Sequence, residues 1–246
     1  MRILLDIGAH FGQTTEIALN PVWGFDEIHA FEPSTKAFKK LSQLRSRKLH
    51  LHHFGLYSEN TVLDLIGSGE VGASIYDKKI RSVENQSIEK ISLVDAEKWV
   101  RENLDFKSNQ VYLKLNCEGS EVDILRVLID SKLIDKFKSI YIDFDIRKIP
   151  GEAYRRVDIE SELITMGINF STWEELIESL TKFEKNVPYF TFTKWLLNEI
   201  PPQKISKTSM LLFKLKFHLS FERIFRSVIR ELTPRVILNI YRKRRR

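Results

Sequence analysis

Cys117 is the only cysteine in the 246 residues. One thiol closes no disulfide within the chain and builds no cysteine-rich metal site. That usage fits a reducing compartment, and the cytoplasm is the expected location. No run of 18 uninterrupted apolar residues occurs, so no transmembrane helix is expected. Residues 1 to 7 already read as a strand with Asp6 inside it, leaving no room there for a signal peptide. Internal repeats are absent, and the sole low-complexity stretch is Arg242-Lys243-Arg244-Arg245-Arg246. The dinucleotide fingerprint Gly-x-Gly-x-x-Gly is also missing. The chain is 43% hydrophobic and 29% charged, enough to bury the core of one α/β domain with appendages.

The net charge of +6 conceals an asymmetry. Residues 201–246 carry 13 Lys/Arg against only Glu222 and Glu231, whereas the first 200 residues carry 26 basic against 31 acidic side chains. A mildly acidic body is joined to a strongly basic tail, and the two call for different partners.

The most informative pattern lies at the start. The apolar run Ile3-Leu4-Leu5 leads through Asp6 into Gly8-Ala9-His10-Phe11-Gly12, and a helix follows from Gln13-Thr14-Thr15-Glu16. Ile28-His29-Ala30-Phe31 then ends in Glu32, twenty residues after Gly12. A strand, a glycine loop, a helix and an acid closing the next strand make the plan of a βαβ nucleoside-binding unit. Glycines permit unusual backbone angles and let a ligand approach the main chain. The helix N-terminus offers unpaired N–H groups, and a carboxylate ending the second strand can accept both hydroxyls of a ribose. Asp-x-Gly-x-x-x-Gly looks like the first motif of S-adenosylmethionine-dependent methyltransferases.

Further along, the patterns predict strands at 27–31, 49–54, 61–66, 88–93, 110–115, 139–146, 168–171 and 189–194. Helices are expected at 34–47 with Ser34 as N-cap, and at 95–103, 121–131, 154–166 and 172–183. Gly67-Ser68-Gly69 marks a turn and Gly72 to Ile75 an irregular insert. Strands alternating with helices imply a largely parallel sheet covered on both faces, with a ligand at the carboxyl ends of the strands 2–7, 27–31 and 110–115.

A second constellation closes the strand 110–115: Lys114-Leu115-Asn116-Cys117-Glu118-Gly119-Ser120-Glu121. Lys114 and Asn116 share one strand face, opposite Leu113 and Leu115. Glu121 and Asp123 read most simply as acids at a helix start. Lys114, Asn116 and Glu118 sit at the expected ligand edge, where Lys114 either pairs with Glu118 or Glu121 or tunes a reacting group.

Taken together, Asp6 to Thr14, Phe31-Glu32-Pro33 and Lys114-x-Asn116-x-Glu118-Gly119-x-Glu121 resemble the FkbM family of methyltransferases over about residues 3 to 170. The third motif is the specific one. The resemblance implies a Rossmann-like class I methyltransferase sheet with helices on both faces. It implies transfer of a methyl group from S-adenosylmethionine to a sugar hydroxyl of a glycan, glycolipid or polysaccharide precursor. It also implies cofactor contacts from Asp6, Gly8, Ala9, His10, Phe11, Gly12, Thr14, Glu32, Pro33, Leu56 and Asn116. The family usually carries an aspartate where this chain has Asn116, and an amide cannot act as a base. Some sugar O-methyltransferases use a divalent cation. No metal-ligand spacing is visible here, the missing aspartate argues against one, and no metal is expected.

Methyl transfer to a hydroxyl needs alignment and a base. The catalytic candidates are Lys114, Asn116, Glu118, Asp143 and Asp145, the two aspartates sharing one face of the strand expected at 139–146. His52 and His53 stand behind them. Phe11, Tyr57, Tyr76 and Trp173 are candidates for stacking on adenine or sugar.

In the tail, Phe217, Phe221, Ile224, Phe225, Val228 and Leu232 recur at helical spacing with Arg223, Arg226 and Arg230 between them. A basic amphipathic helix of this kind suits a membrane surface through residues 211–246, or packing on the domain or a second subunit. The expected organisation is therefore a cofactor-binding domain over 1–195 and a basic helical extension over 196–246. Nucleic acid is not the expected partner, although an RNA methyltransferase using the tail, or a scaffold that binds cofactor without turnover, is the rival reading.

Overall fold

Ile3, Leu4 and Leu5 are all apolar because the strand they form is covered on both faces. In the computed structural model, which describes residues 1–70, 72–76, 87–180, 184–186 and 189–200, β1 (Arg2–Ile7) lies inside a six-stranded sheet. Its partners are β2 (Glu27–Phe31), β3 (Leu49–His52), β7 (Gln110–Leu115), β8 (Ser139–Ile142) and β9 (Phe170–Thr172). The order is β3-β2-β1-β7-β8-β9 and every pairing is parallel. From β1 the chain winds outward to β3, then returns and winds the other way from β7 to β9. The switch point falls between β1 and β7, where a doubly wound sheet opens a crevice at its carboxyl edge.

Alternation along β1 and β7 divides the core. Ile3, Leu5, Ile7, Val111, Leu113 and Leu115 face α3 (Ala96–Asn103), α4 (Glu121–Asp130) and α5 (Ala153–Thr165). Leu4 and Tyr112 face the other layer with Trp23, Leu176 and the helix α7 (Phe190–Glu199). The parallel sheet covered on both faces is the one the spacing predicts, and its topology is Rossmann-like.

A second sheet was not foreseen. β4 (Gly55–Tyr57) pairs parallel with β6 (Ile88–Asp95), and β6 pairs antiparallel with β5 (Thr61–Ile66). Leu65, Ile91 and Leu93 are its buried apolar residues. The turn at 67–69 forms with Gly67 and Gly69 at positive φ, and its Ser68 hydroxyl lies 2.9 Å from that of Ser34. Ser34 caps α2 (Thr35–Leu41) as expected.

Several elements depart from expectation. The helix expected over 34–47 stops at Leu41, because the Ser42 hydroxyl bonds the Lys39 carbonyl and the Arg45 guanidinium takes the Ser42 carbonyl, both competing with a further helical turn. The strand expected over 139–146 ends at Ile142 and the chain turns into a short 3₁₀ segment, Asp145–Lys148. The helix expected over 172–183 is α6 (Trp173–Glu178), started by a capping box between Thr172 and Glu175; residues 181–183 lie outside the described residues. The strand expected over 189–194 is the helix α7. Its Tyr-Phe-Thr-Phe-Thr run favours a strand locally, but Phe192, Trp195, Leu196 and Ile200 fall on one helical face and are buried together against the sheet. The boundary at 195/196 therefore falls inside a helix. The basic extension beyond Ile200, with its amphipathic pattern, lies outside the described residues, and among those described no helix is long and apolar enough to cross a membrane.

Candidate active site

The glycine loop leaves β1 through conformations that few side chains accept. Gly8 has φ +79°, and a Cβ there would meet the Asn116 carbonyl oxygen at 1.8 Å. Glycine is thus required by the close approach of the loop to the end of β7. His10 is itself left-handed at φ 51°. Gly12 has φ +90°, and a Cβ there would strike Leu44 and Leu41 at 2.7 and 2.9 Å, so this glycine serves the packing of α1 (Gln13–Ala18) against α2. The amides of Gly8, Ala9 and His10 are bonded within the protein. Gly8 and Ala9 N–H both donate to the Phe31 carbonyl, at 3.1 and 2.9 Å, and His10 N–H donates to Glu32 Oε2 at 2.9 Å.

Beneath the loop, Asp6 and Lys114 are register partners across β1 and β7. Lys114 Nζ lies 2.9 Å from Asp6 Oδ1 and donates to the carbonyls of Gly8 and Ile7 at 2.8 and 3.3 Å. Asp6 Oδ2 accepts the hydroxyls of Thr14 and Thr15 at 2.8 and 2.6 Å. Lys114 therefore pairs with Asp6, not with Glu118 or Glu121 as sequence proximity suggested. Both charges are spent on fastening the loop between two strands and the start of α1.

Glu32 stands at the carboxyl end of β2, buried to 6% exposure. Oε2 accepts His10 N–H, and Oε1 accepts Ser34 N–H at 2.8 Å. A carboxylate has about four acceptor sites, so two remain. Burial pushes its pKa up to about 7, opposed by the two amides and by the Lys114 charge.

The opposite rim carries Asn116 and Asp143. Asn116 Nδ2 donates to Asp143 Oδ2 at 3.3 Å, and Arg147 reaches Asp143 Oδ1 at 3.4 Å. Burial, then the Asp145 charge, raises the Asp143 pKa, with Arg147 and Lys148 opposing. Glu118, left-handed at φ 57°, accepts Gly72 N–H at 3.2 Å while its carbonyl accepts the Ser74 hydroxyl at 2.7 Å. It ties the insert to the end of β7. Glu121 reaches back to the amides of Cys117, at 2.7 Å, and Gly119, at 3.1 Å, holding the turn that follows β7. Burial raises the Glu121 pKa to about 8.

Glu32, Lys114, Asn116, Glu118 and Asp143 line a cavity of about 350 Å³, with Glu121 outside its lining, a volume within the range of roughly 300–1,000 Å³ for small-molecule sites. Of the candidate residues, Gly8, Ala9, His10, Thr14, Glu32, Pro33, Leu56, Lys114, Asn116, Glu118 and Asp143 line it. Asp6 lies below it, bonded as described. Phe11 lies outside the lining, its ring stacked on that of His10 at 3.7 Å and covered by Lys40. Gly12 is taken up by helix packing. Asp145 does not share a strand face with Asp143, because the strand has ended. It is buried and bound to Lys148 at 2.6 Å, outside the lining. His52 packs on Phe31 and His29, and His53 on Phe38; neither reaches the cavity. Tyr57 and Tyr76 also lie outside the lining, whereas Trp173 is part of it.

Sequence reasoning missed two walls. Leu65, Ile91 and Leu93 of the second sheet form an apolar wall beside Leu56, and Tyr141, Tyr189, Thr191 and Phe192 form a wall with Trp173 beside Asp143. The alternation in 61–66 and 88–93 announced strands but not where they pack. Residues 189–192 carried no usable signal, since their local pattern pointed to the wrong element.

No family model matches the sequence, and no curated protein matches it. Among solved structures, the crystal structure of methyltransferase FkbM from Methylobacillus flagellatus KT is similar to part of the chain, with a TM-score of 0.34 and 14% sequence identity. The alignment covers 53% of this chain and 30% of that one. The chain thus spans less than a third of that neighbour's length, and a likeness this distant assigns no activity.

Proposed function

We propose that the protein is an S-adenosylmethionine-dependent O-methyltransferase whose acceptor is a sugar hydroxyl of a glycan, glycolipid or polysaccharide precursor. The observation that carries the reading is Glu32. A carboxylate at the end of the second strand of a doubly wound sheet, pinned by two backbone amides with acceptor sites to spare, is suited to the paired hydroxyls of a ribose.

The residues present fit such a cofactor. Glu32 would take the ribose, Leu56, Leu65, Ile91 and Leu93 would cover the adenine, and the Asn116 amide, beside the glycine loop, would receive the amino-acid end. When bound, the cofactor supplies an electrophilic methyl group on a sulfonium. The chain's own part is to align the acceptor and take its proton. Alignment alone is worth roughly 7–11 kcal/mol of barrier. Asp143 is the base: its Oδ2 is oriented by the Asn116 amide, and its partial desolvation makes it more basic than a solvated carboxylate. Asn116, where the resembled family has an acid, positions its neighbour. Trp173, Tyr189 and Phe192 supply flat apolar surface beside Asp143 for a sugar ring. Contact of the tail with an anionic membrane, and a cytoplasmic setting, belong to the same proposal and rest on the sequence alone.

Isothermal calorimetry on the full chain with S-adenosylmethionine and S-adenosylhomocysteine tests the cofactor. Saturable heat with both is expected, weakened at least tenfold by Glu32→Ala. Absence of heat with either on folded protein overturns the reading. Release of S-adenosylhomocysteine across a panel of sugars and lipid-linked glycans then tests the acceptor; binding without turnover would reduce the protein to a scaffold.

A further inference from the structure

A group of metal-binding side chains lies on the sheet far from any role in the cavity. Glu27 and His29 are two apart on β2 and so share a face. His50 is the register partner of His29 on β3, the edge strand. Parallel pairing thus places one carboxylate beside two imidazoles, their ligand atoms all within 4.8 Å of one another. His29 Nε2 is 3.6 Å from Glu27 Oε2, and the rings of His29 and His50 stack with centroids 4.7 Å apart. Behind them, His52 Nε2 lies 3.1 Å from His29 Nδ1. With the shared proton on His29 Nδ1, the Nε2 lone pair is presented on the Glu27 side. An imidazole held through its far nitrogen in this way is oriented for a metal on the near one. Trp99 of α3 packs edge-on against His29 at 5.3 Å and limits ring movement.

We propose that Glu27, His29 and His50 bind a divalent transition metal of the zinc class across β2 and β3. Two imidazole nitrogens and one carboxylate oxygen suit zinc and its neighbours, not calcium or magnesium, which take oxygen ligands. Bonds of about 2.0–2.1 Å in a tetrahedron bring ligand atoms to about 3.4 Å from one another. The contraction required falls on Glu27 and His50, the more exposed members. Three protein ligands leave the fourth position to water. None of the three lines the cavity, so the metal fastens the edge strand and does not enter the chemistry proposed above.

The test uses untagged full-length protein, dialysed against a chelator and titrated with ZnCl₂ by calorimetry and with CoCl₂ by visible absorption. One metal per chain is expected, together with the d–d bands of a tetrahedral cobalt site and a higher Tm in zinc. His50→Ala, at an exposed position, should weaken binding at least 10–100-fold and abolish the Tm gain without changing the metal-free Tm. Glu27→Gln provides a second variant that keeps the side-chain shape. Failure of the wild type to bind either metal saturably overturns the proposal. So does binding that persists in both variants, which would put the metal on other groups such as His10 or His218.

Discussion

Asp6 and Lys114 face each other across the β1–β7 pairing with their charged groups 2.9 Å apart and almost no solvent exposure. The pair sits directly below the glycine loop, and each partner also bonds the segment around it, Asp6 through Thr14 and Thr15 and Lys114 through the carbonyls of Ile7 and Gly8. Removing either partner strands a buried charge. Lys114→Met should therefore cost about 3–5 kcal/mol of unfolding free energy, measured by urea denaturation. Asp6→Asn combined with Lys114→Met should recover part of that loss. Additive losses in the double variant would show that the two charges do not act as a pair.

Gly8 and Gly72 both have positive φ, yet they differ in what surrounds them. A Cβ at Gly8 collides with the Asn116 backbone, whereas at Gly72 no atom of the described residues lies within 4 Å. Gly72→Ala should cost only the left-handed penalty of about 1–2 kcal/mol. Gly8→Ala should cost more than that and abolish cofactor affinity, because the loop and the end of β7 must separate. Denaturation and calorimetry on both variants check this, and equal effects would contradict it.

The raised pKa of Glu32 fixes the sign of two pH effects. Its folded value, about 7, exceeds the ordinary value of 4.5. The folded state therefore holds the proton more tightly, and the stability this contributes is complete below pH 4.5 and lost as pH rises through about 7. Ribose hydroxyls donate to the ionised form, so affinity for S-adenosylhomocysteine should rise as pH rises through about 7, with a proton released on binding. Calorimetry in buffers of different ionisation enthalpy reads that proton directly. Glu32→Gln should remove both the proton release and this pH dependence.

Asp143 and Asp145 should separate cleanly. Asp143→Asn is expected to slow methyl transfer by about 10²–10⁴-fold with unchanged cofactor affinity. Asp145→Asn, away from the cavity and bound to Lys148, should lower stability and leave the single-turnover rate near that of wild type. Rapid-quench turnover paired with thermal unfolding distinguishes them, and a wild-type rate in Asp143→Asn would remove it from the mechanism.

The sequence by itself determined the doubly wound sheet, the glycine loop and the place of Glu32, because these rest on local signals. Ile3-Leu4-Leu5 ahead of a glycine loop reads as a strand buried on both faces, Gly8 marks a turn in the backbone, and twenty residues of spacing put Glu32 at the neighbouring strand end. Only the tertiary structure decided what those residues touch. Lys114 found Asp6 instead of the nearby acids because strand pairing brings together positions more than a hundred residues apart. Residues 190–194 became a helix because burying Trp195, Leu196 and Ile200 on one face outweighs the strand preference of alternating aromatics and threonines. Glu27, His29 and His50 meet for the same reason: the 21 residues from His29 to His50 hide the group in the sequence, and parallel registry of β2 and β3 assembles it.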